Sequence, residues 1–248
     1  MASVDIHCDS ITKRFGGTEV VIPFSVTLAA GQTTALVGPS GCGKSTILRM
    51  IAGLDTPDSG TVALGAEPPR TVARNGALAM AFQDPSLLPW RSARANIALG
   101  AELARKPVGD VDALIDLVGL GGFADHRPGE LSGGMRQRVA IARSLISEPD
   151  VLLLDEPFGA VDAMTRRRLN EDLPPLWRSR GATVVLVTHS VQEAVLLSDR
   201  VLVLSPRPAR VVADIPIALT GTRDSKLVQT AEFAALSKEI FAVLEDSI

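Results

Sequence analysis

The 248-residue chain has no tyrosine, and only 4% of it is aromatic although 46% is hydrophobic. A chain of this length can bury a sizeable core, and here it must do so largely with aliphatic side chains. Its two cysteines, Cys8 and Cys42, provide no disulfide framework. No apolar run approaches the roughly 20 residues that span a bilayer, and Met1 to Asp9 does not read as a signal peptide. Positive charge is not in excess: the formal net charge of −3 argues against nucleic acid or an anionic membrane surface as a direct partner. Internal repeats and low-complexity tracts are missing, which excludes solenoid and tail-driven architectures.

What is present begins with the stretch Gly38-Pro39-Ser40-Gly41-Cys42-Gly43-Lys44-Ser45-Thr46. The apolar run Thr34–Val37 precedes it and Ile47–Ile51 comes after, so it lies where a buried strand turns into a helix. Glycines at 38, 41 and 43 permit a sharp turn with backbone N–H groups pointing inward, and the helix N-terminus adds partial positive charge. That arrangement accepts a triphosphate. Lys44 is placed to reach the β- and γ-phosphates, the Ser45 hydroxyl to ligate Mg²⁺, and Thr46 to assist at the α-phosphate.

Further along, Val151 to Leu154 form a continuous apolar run directly before Asp155 and Glu156. Such a run reads as a parallel strand covered on both faces, and ligands bind beyond the C-terminal ends of such strands. Asp155 is then a candidate to hold Mg²⁺ and Glu156 to polarise the attacking water. A polar strand end entering a turn is the simpler reading of Asp-Glu-Pro, and the phosphate loop elsewhere in the chain weighs against it. Leu131-Ser132-Gly133-Gly134 opens an amphipathic helix with Met135, Val139, Ala142, Leu145 and Ile146 on one face. Either this is a capped surface helix, or its exposed N–H groups form a second anion cradle. One nucleotide already has its phosphate loop, so a second cradle is best used on the nucleotide of a partner copy in a head-to-tail pair.

These stretches together resemble the nucleotide-binding subunit of an ATP-binding cassette (ABC) transporter. The resemblance implies an α/β fold: a P-loop NTPase, RecA-like core with an antiparallel β-subdomain and an inserted α-helical subdomain. It also assigns the remaining positions. Phe15 matches the aromatic that stacks on adenine, Gln83 the glutamine that senses γ-phosphate and Mg²⁺, Asp162 the aspartate of the loop after the Asp-Glu pair, and His189 the switch histidine. ATP and Mg²⁺ are the implied cofactors. A second ATP-binding subunit, two transmembrane permease subunits and, indirectly, an extracytoplasmic solute-binding protein are the implied partners. The implied location is peripheral, on the cytoplasmic face of the membrane.

On this reading the chain is a single ATPase domain, residues 1–248. Residues 1–83 and 150–215 make the nucleotide-binding core, 84–149 the helical signature subdomain, and 216–248 a short tail with a helix near Glu232 to Leu244. Leu87-Leu88-Pro89-Trp90, with Asn96 to Gly100 after it, looks like the branch serving taurine, alkanesulfonate, nitrate or thiamine-pyrimidine importers. Its apolar residues either anchor a helix of the membrane subunit or pack inside the lobe. An exporter ATPase and a non-transport cassette are the alternatives; the coiled-coil insertion of repair types and the paired cassettes of translation types are not seen. The chain departs from the family at Phe15, where many relatives have Tyr, and at Val161 and Ser190. Pro174-Pro175 interrupts what relatives make a long helix, so a break is expected near Leu173. The place of Cys42 inside the phosphate loop predicts that thiol alkylation inhibits hydrolysis and that bound ATP protects.

Overall fold

Buried and exposed side chains alternate at the start of β1 (Ile6–Phe15), with Ile6 and Cys8 inward and His7 and Asp9 outward, the period of a half-covered strand. The structure, a computed structural model, describes residues 4–219, 223–224 and 226–247. β2 (Thr18–Leu28) runs antiparallel to β1, with Phe15 opposite Thr18. β3 (Thr33–Val37) is buried at every position and feeds α1 (Lys44–Ile51). β4 (Ser59–Leu64) then pairs with the free edge of β1, completing a small antiparallel sheet in the order β2-β1-β4. After α2 (Pro69–Arg74) comes β5 (Leu78–Ala81).

Among the described residues, no strand falls between 84 and 149, which carry α3 (Ala93–Ala104), α4 (Val111–Leu117), a 3₁₀ turn at Pro128–Glu130 and α5 (Gly133–Leu145). The chain returns to the sheet with β6 (Val151–Asp155), α6 (Ala163–Asp172), α7 (Pro174–Arg178), β7 (Thr183–Val187), α8 (Val191–Leu197), β8 (Arg200–Leu204) and β9 (Val211–Pro216). A last helix, α9 (Ala231–Asp246), lies against α8. The parts of the core and tail assignments at 1–3, 220–222, 225 and 248 lie outside the described residues.

The larger sheet is ordered β5-β6-β7-β3-β8-β9, parallel throughout except for β9. Its apolar runs serve two cores at once, because successive side chains leave opposite faces. Ala35, Val37, Leu152, Leu154, Val184 and Leu186 pack with the face that carries α5 and α8. Leu36, Leu153, Val185 and Val187 pack with α1 and the small sheet. Phe24 and Phe158 are the only aromatics among the largest fully buried side chains described, so the cores are indeed aliphatic.

The expected interruption at Pro174-Pro175 is present. α6 ends at Asp172 and α7 begins at Pro174, with Leu173 serving as the C-cap of one and the N-cap of the other. Proline at the first helical position lacks only an N–H that would be unpaired there in any case. Leu173 stays in the right-handed helical region and its carbonyl accepts from Leu176 N at 3.0 Å, so the chain turns tightly and carries Trp177 into the core.

Candidate functional site

Parallel register brings the ends of four strands to one edge of the sheet. Leu154 of β6 is opposite Leu186 of β7, Leu36 of β3 is opposite Val187, and Val37 is opposite Val203 of β8. The next segments along the chain, Gly38–Thr46, Asp155–Glu156 and Thr188–His189, therefore emerge side by side. Between them lies a cavity of about 550 Å³ lined by Lys44, Ser45, Thr46, Gln83, Glu156 and His189, among others.

The loop's glycines have different reasons to be glycine. A Cβ at Gly38 would sit 2.9 Å from the Leu204 carbonyl oxygen, so the end of β8 excludes any side chain there. Gly43 has φ 125° and caps α1 without a side chain, a conformation open to glycine alone. The first N–H groups of α1 thus face the cavity uncovered. Lys44 is 5% exposed and folds back so that Nζ donates to the Gly38 and Pro39 carbonyls, both at 2.8 Å. Those carbonyls hold the ammonium where phosphate oxygens would take it over.

Ser45 Oγ donates to Asp155 Oδ1 at 2.9 Å. Burial raises the Asp155 carboxyl above its ordinary value and the neighbouring Glu156 charge adds to this, while the Ser45 hydrogen bond and the Lys44 charge oppose it. Beside it, Glu156 adopts φ 45°, held there by its N–H donating to the Val187 carbonyl at 2.9 Å. Its Oε2 lies 3.3 Å from His189 Nδ1. The Ser45 hydroxyl, the Glu156 carboxylate, the Lys44 ammonium and the His189 imidazole thus line one cavity, while Asp155, 5% exposed, lies behind Ser45 and outside the lining. No cluster of three or more His, Cys, Asp or Glu able to cage a metal occurs among the described residues. Mg²⁺ fits this donor set in its usual manner, through one or two protein oxygens together with a substrate's phosphates.

The structure does not bring every predicted residue here. Phe15 ends β1 half exposed, with Lys13 Nζ 5.4 Å from its ring centroid, outside the cavity lining. Ser132 caps α5, its Oγ accepting from Met135 N at 3.2 Å, and Gly133 has nothing within 4 Å of a built Cβ. Asp162 caps α6 by accepting from Thr165 N at 3.0 Å; that backbone donor holds its carboxyl below the usual range. Cys42 belongs to the loop but is 1% exposed and packs in the core beneath it.

Sequence reasoning missed several residues that shape the site. Arg207, on the turn between β8 and β9, lines the cavity and donates to the Gly41 carbonyl. Gln137 Nε2 donates to the Phe82 carbonyl at 3.2 Å, tying α5 to the segment that carries Gln83. Asn96, fully buried, accepts from Leu88 N at 2.8 Å and donates to the carbonyls of Leu88, Arg91 and Ser92, so one amide folds the loop around Trp90. The proline on each side of Arg207 was the available signal for a fixed side chain; a lone Asn inside a helical pattern gave none.

Within that loop, Leu87, Leu88 and Trp90 have different fates. Leu87 packs on the core, Leu88 lines a groove of about 400 Å³ with Met80, Phe82, Leu99 and Leu103, and Trp90 is 68% exposed.

Comparison with known proteins adds a family to this geometry. The ABC transporter family model matches residues 21–159. The aliphatic sulfonates import ATP-binding protein SsuB of Cupriavidus pinatubonensis is 43% identical over 237 residues, 96% of this chain and 76% of that protein. The taurine import ATP-binding protein TauB of Roseobacter denitrificans is 42% identical over 231 residues, 90% of this chain and 85% of that one. Among solved structures, the dimeric ATP-binding cassette MJ0796 in a post-hydrolysis state with ADP and Pi superposes with a TM-score of 0.77 at 28% identity, covering 87% of this chain and all of that one.

Proposed function

We propose, since the chain belongs to the ABC transporter family of ATP-binding proteins, that it is the ATP-hydrolysing subunit of an importer for a small anionic or polar solute of the sulfonate, taurine, nitrate or thiamine-pyrimidine type. The observation that carries the catalytic part is the convergence of Lys44, Ser45 and the Glu156–His189 pair on one cavity at the sheet edge, with Asp155 hydrogen-bonded behind Ser45.

The phosphate loop binds the triphosphate through its inward N–H groups, and Lys44 exchanges the Gly38 and Pro39 carbonyls for phosphate oxygens. Ser45 and Asp155 would hold Mg²⁺, which when bound neutralises charge on the phosphates. Glu156 accepts a proton as water attacks the γ-phosphorus. The bond to the β–γ bridging oxygen breaks, and ADP and phosphate result. His189, within 3.3 Å of Glu156, orients that carboxylate and is placed to reach the γ-phosphate; Gln83 lines the same cavity. Phe15 offers an open ring for adenine.

The Ser132–Gly134 cradle and Asp162 lie away from this chain's own cavity lining, which supports their use on the nucleotide of a second copy. A pair of copies closing on ATP would then move two permease subunits seated at the Leu88 groove, with Trp90 as an exposed anchor. Among the described residues no helix is long and apolar enough to cross a membrane.

Expression of tagged Glu156→Gln protein in its native host, with gentle solubilisation and identification of co-purifying chains, tests the transport reading. Recovery of a multi-span permease with a binding protein is expected. Recovery only with soluble or nucleic-acid assemblies would overturn import and leave the ATPase chemistry standing.

A further inference from the structure

The turn after β8 reaches back to the phosphate loop. Ser205, 6% exposed, shapes that turn: its Oγ donates toward the Pro206 and Pro208 carbonyls at 2.9 and 3.0 Å and accepts from Arg210 N at 3.2 Å. Ala209 fastens the turn to β2, donating to the Val20 carbonyl at 2.8 Å and accepting from Ile22 N at 3.4 Å. Between these two anchorages stands Arg207, flanked by Pro206 and Pro208. Its Nε and Nη2 both donate to the Gly41 carbonyl, at 3.1 and 2.8 Å.

A loop that turns its N–H groups inward must turn carbonyls outward, and an outward carbonyl left to water lets its peptide plane rotate. The guanidinium supplies a charged, two-donor partner to one such carbonyl, and charge-assisted bonds of this kind are about twice as strong as neutral ones. The plane it fixes joins Gly41 to Cys42, whose N–H donates to the Pro39 carbonyl at 3.3 Å. Lys44 and Arg207 are also the two cationic side chains lining the cavity, so the same residue adds positive charge where phosphates would sit.

We propose that Arg207 is a positioning residue of the nucleotide site, acting through the Gly41 carbonyl to hold the phosphate loop in its binding conformation and adding a second positive charge at the cavity. The inference rests on the ATP-binding function proposed for this cavity. It predicts an affinity effect that tracks the phosphates, because pre-organisation and charge both act on the triphosphate and not on the base.

Equilibrium titration of the full chain with fluorescent ATP and ADP analogues, in Mg²⁺ buffer at low and high salt, tests this alongside Arg207→Gln and Arg207→Lys. Arg207→Gln is expected to weaken ATP binding roughly tenfold, with Arg207→Lys recovering part of the loss, as expected for a charge-assisted contact. The gap between wild type and Arg207→Gln should narrow as salt rises. Melting of the nucleotide-free proteins reports the fold separately, and Arg207→Lys keeps the measurement open if Arg207→Gln folds poorly. ATP affinity of Arg207→Gln within twofold of wild type would overturn the proposal, as would equal loss in both variants accompanied by a matching drop in melting temperature. Failure of the wild type itself to bind ATP would instead overturn the nucleotide reading.

Discussion

Glu156 is a non-glycine residue at φ 45°, a region that costs a side chain of order 1–3 kcal/mol and persists only when its surroundings impose it. Here β6 ends at Asp155 and the Glu156 N–H is taken by Val187, so the carboxylate is turned into the cavity rather than along the strand. Glu156→Gln keeps that geometry and removes the proposed proton acceptor; turnover should fall more than about 100-fold in a phosphate-release assay while ATP binding is retained. Cys42 teaches the opposite lesson. Its place in the phosphate loop predicts ready alkylation with protection by ATP, but its sulfur is buried under the loop, and Cys8 is also buried, its thiol pushed up to about 12. Reagents then need a local opening. Mass spectrometry after maleimide treatment should find both thiols unlabelled in native protein, with or without ATP, and both labelled in urea. A third residue-scale effect concerns acid. Arg200 grips Asp214 with two hydrogen bonds at 2.7 and 2.6 Å and holds its carboxyl below the ordinary 3.8. A lowered folded value means the stabilisation is complete above that ordinary value and is lost as pH falls through the folded one. Asp214→Asn should therefore lower the melting temperature at neutral pH and flatten its decline below about pH 4, by a modest amount because the pair is partly exposed.

At the scale of elements, the inserted helices are coupled to the nucleotide site through single polar side chains. Gln137 joins α5 to Phe82, and Arg143 of the same helix donates to the Pro85 and Ser86 carbonyls at 2.7 and 2.9 Å. The segment carrying Gln83 is thus held between the sheet edge and α5, where a shift of the lobe would be felt at the cavity. Asn96 does the same for the next loop. Its amide meets one backbone N–H and three carbonyls; truncation would take the side-chain partner from the Leu88 N–H and the Arg91 carbonyl, while the Leu88 and Ser92 carbonyls keep Arg91 N and Asn96 N. Asn96→Ala should cost about 1–3 kcal/mol in urea unfolding, more than a surface substitution on α3. Because the loop bears Trp90, the variant should also lose recovery of membrane chains in the co-purification experiment at a protein level where wild type succeeds. The break at Leu173 is a milder device: the helix pair α6–α7 tolerates two prolines because the first takes the N1 position and Leu173 caps both segments.

For the whole molecule, one group of the proposed nucleotide contacts is turned away from this chain's own cavity. Ser132, Gly133 and Asp162 sit at helix N-termini outside the cavity lining, and Gly134 approaches the Ala160 carbonyl so closely that a Cβ would lie 2.9 Å from it. That close approach sets the start of α5 against the loop before Asp162, so the cradle and the aspartate lie near one another. A second copy facing them would complete two sites at once, the economical outcome of two-fold symmetry. Light scattering on Glu156→Gln should show a monomer without nucleotide and a dimer with saturating Mg-ATP; a species that stays monomeric with both ATP and permease subunits present would count against the sandwich.

Local sequence determined the family of this protein and suggested the chemistry proposed for it. Gly38–Thr46, Ser132–Gly134 and Asp155–Glu156 pointed to the proposed phosphate loop, cradle and carboxylate pair, since strand-then-glycine-then-helix patterns encode backbone geometry within a few residues, whereas Gln83 and His189 were assigned only by resemblance to the family. The aliphatic runs that became β3, β6 and β7 were equally legible, because burial on both faces leaves no polar alternation to misread. Tertiary structure alone decided which side of each residue meets what. It turned Cys42 into the core and Glu156 into the cavity, made Asn96 the organiser of a loop, and brought Arg207 to Gly41 across 166 positions of chain. Those outcomes depend on parallel register and side-chain direction, which arise from packing between distant segments and leave no pattern in any short window of sequence.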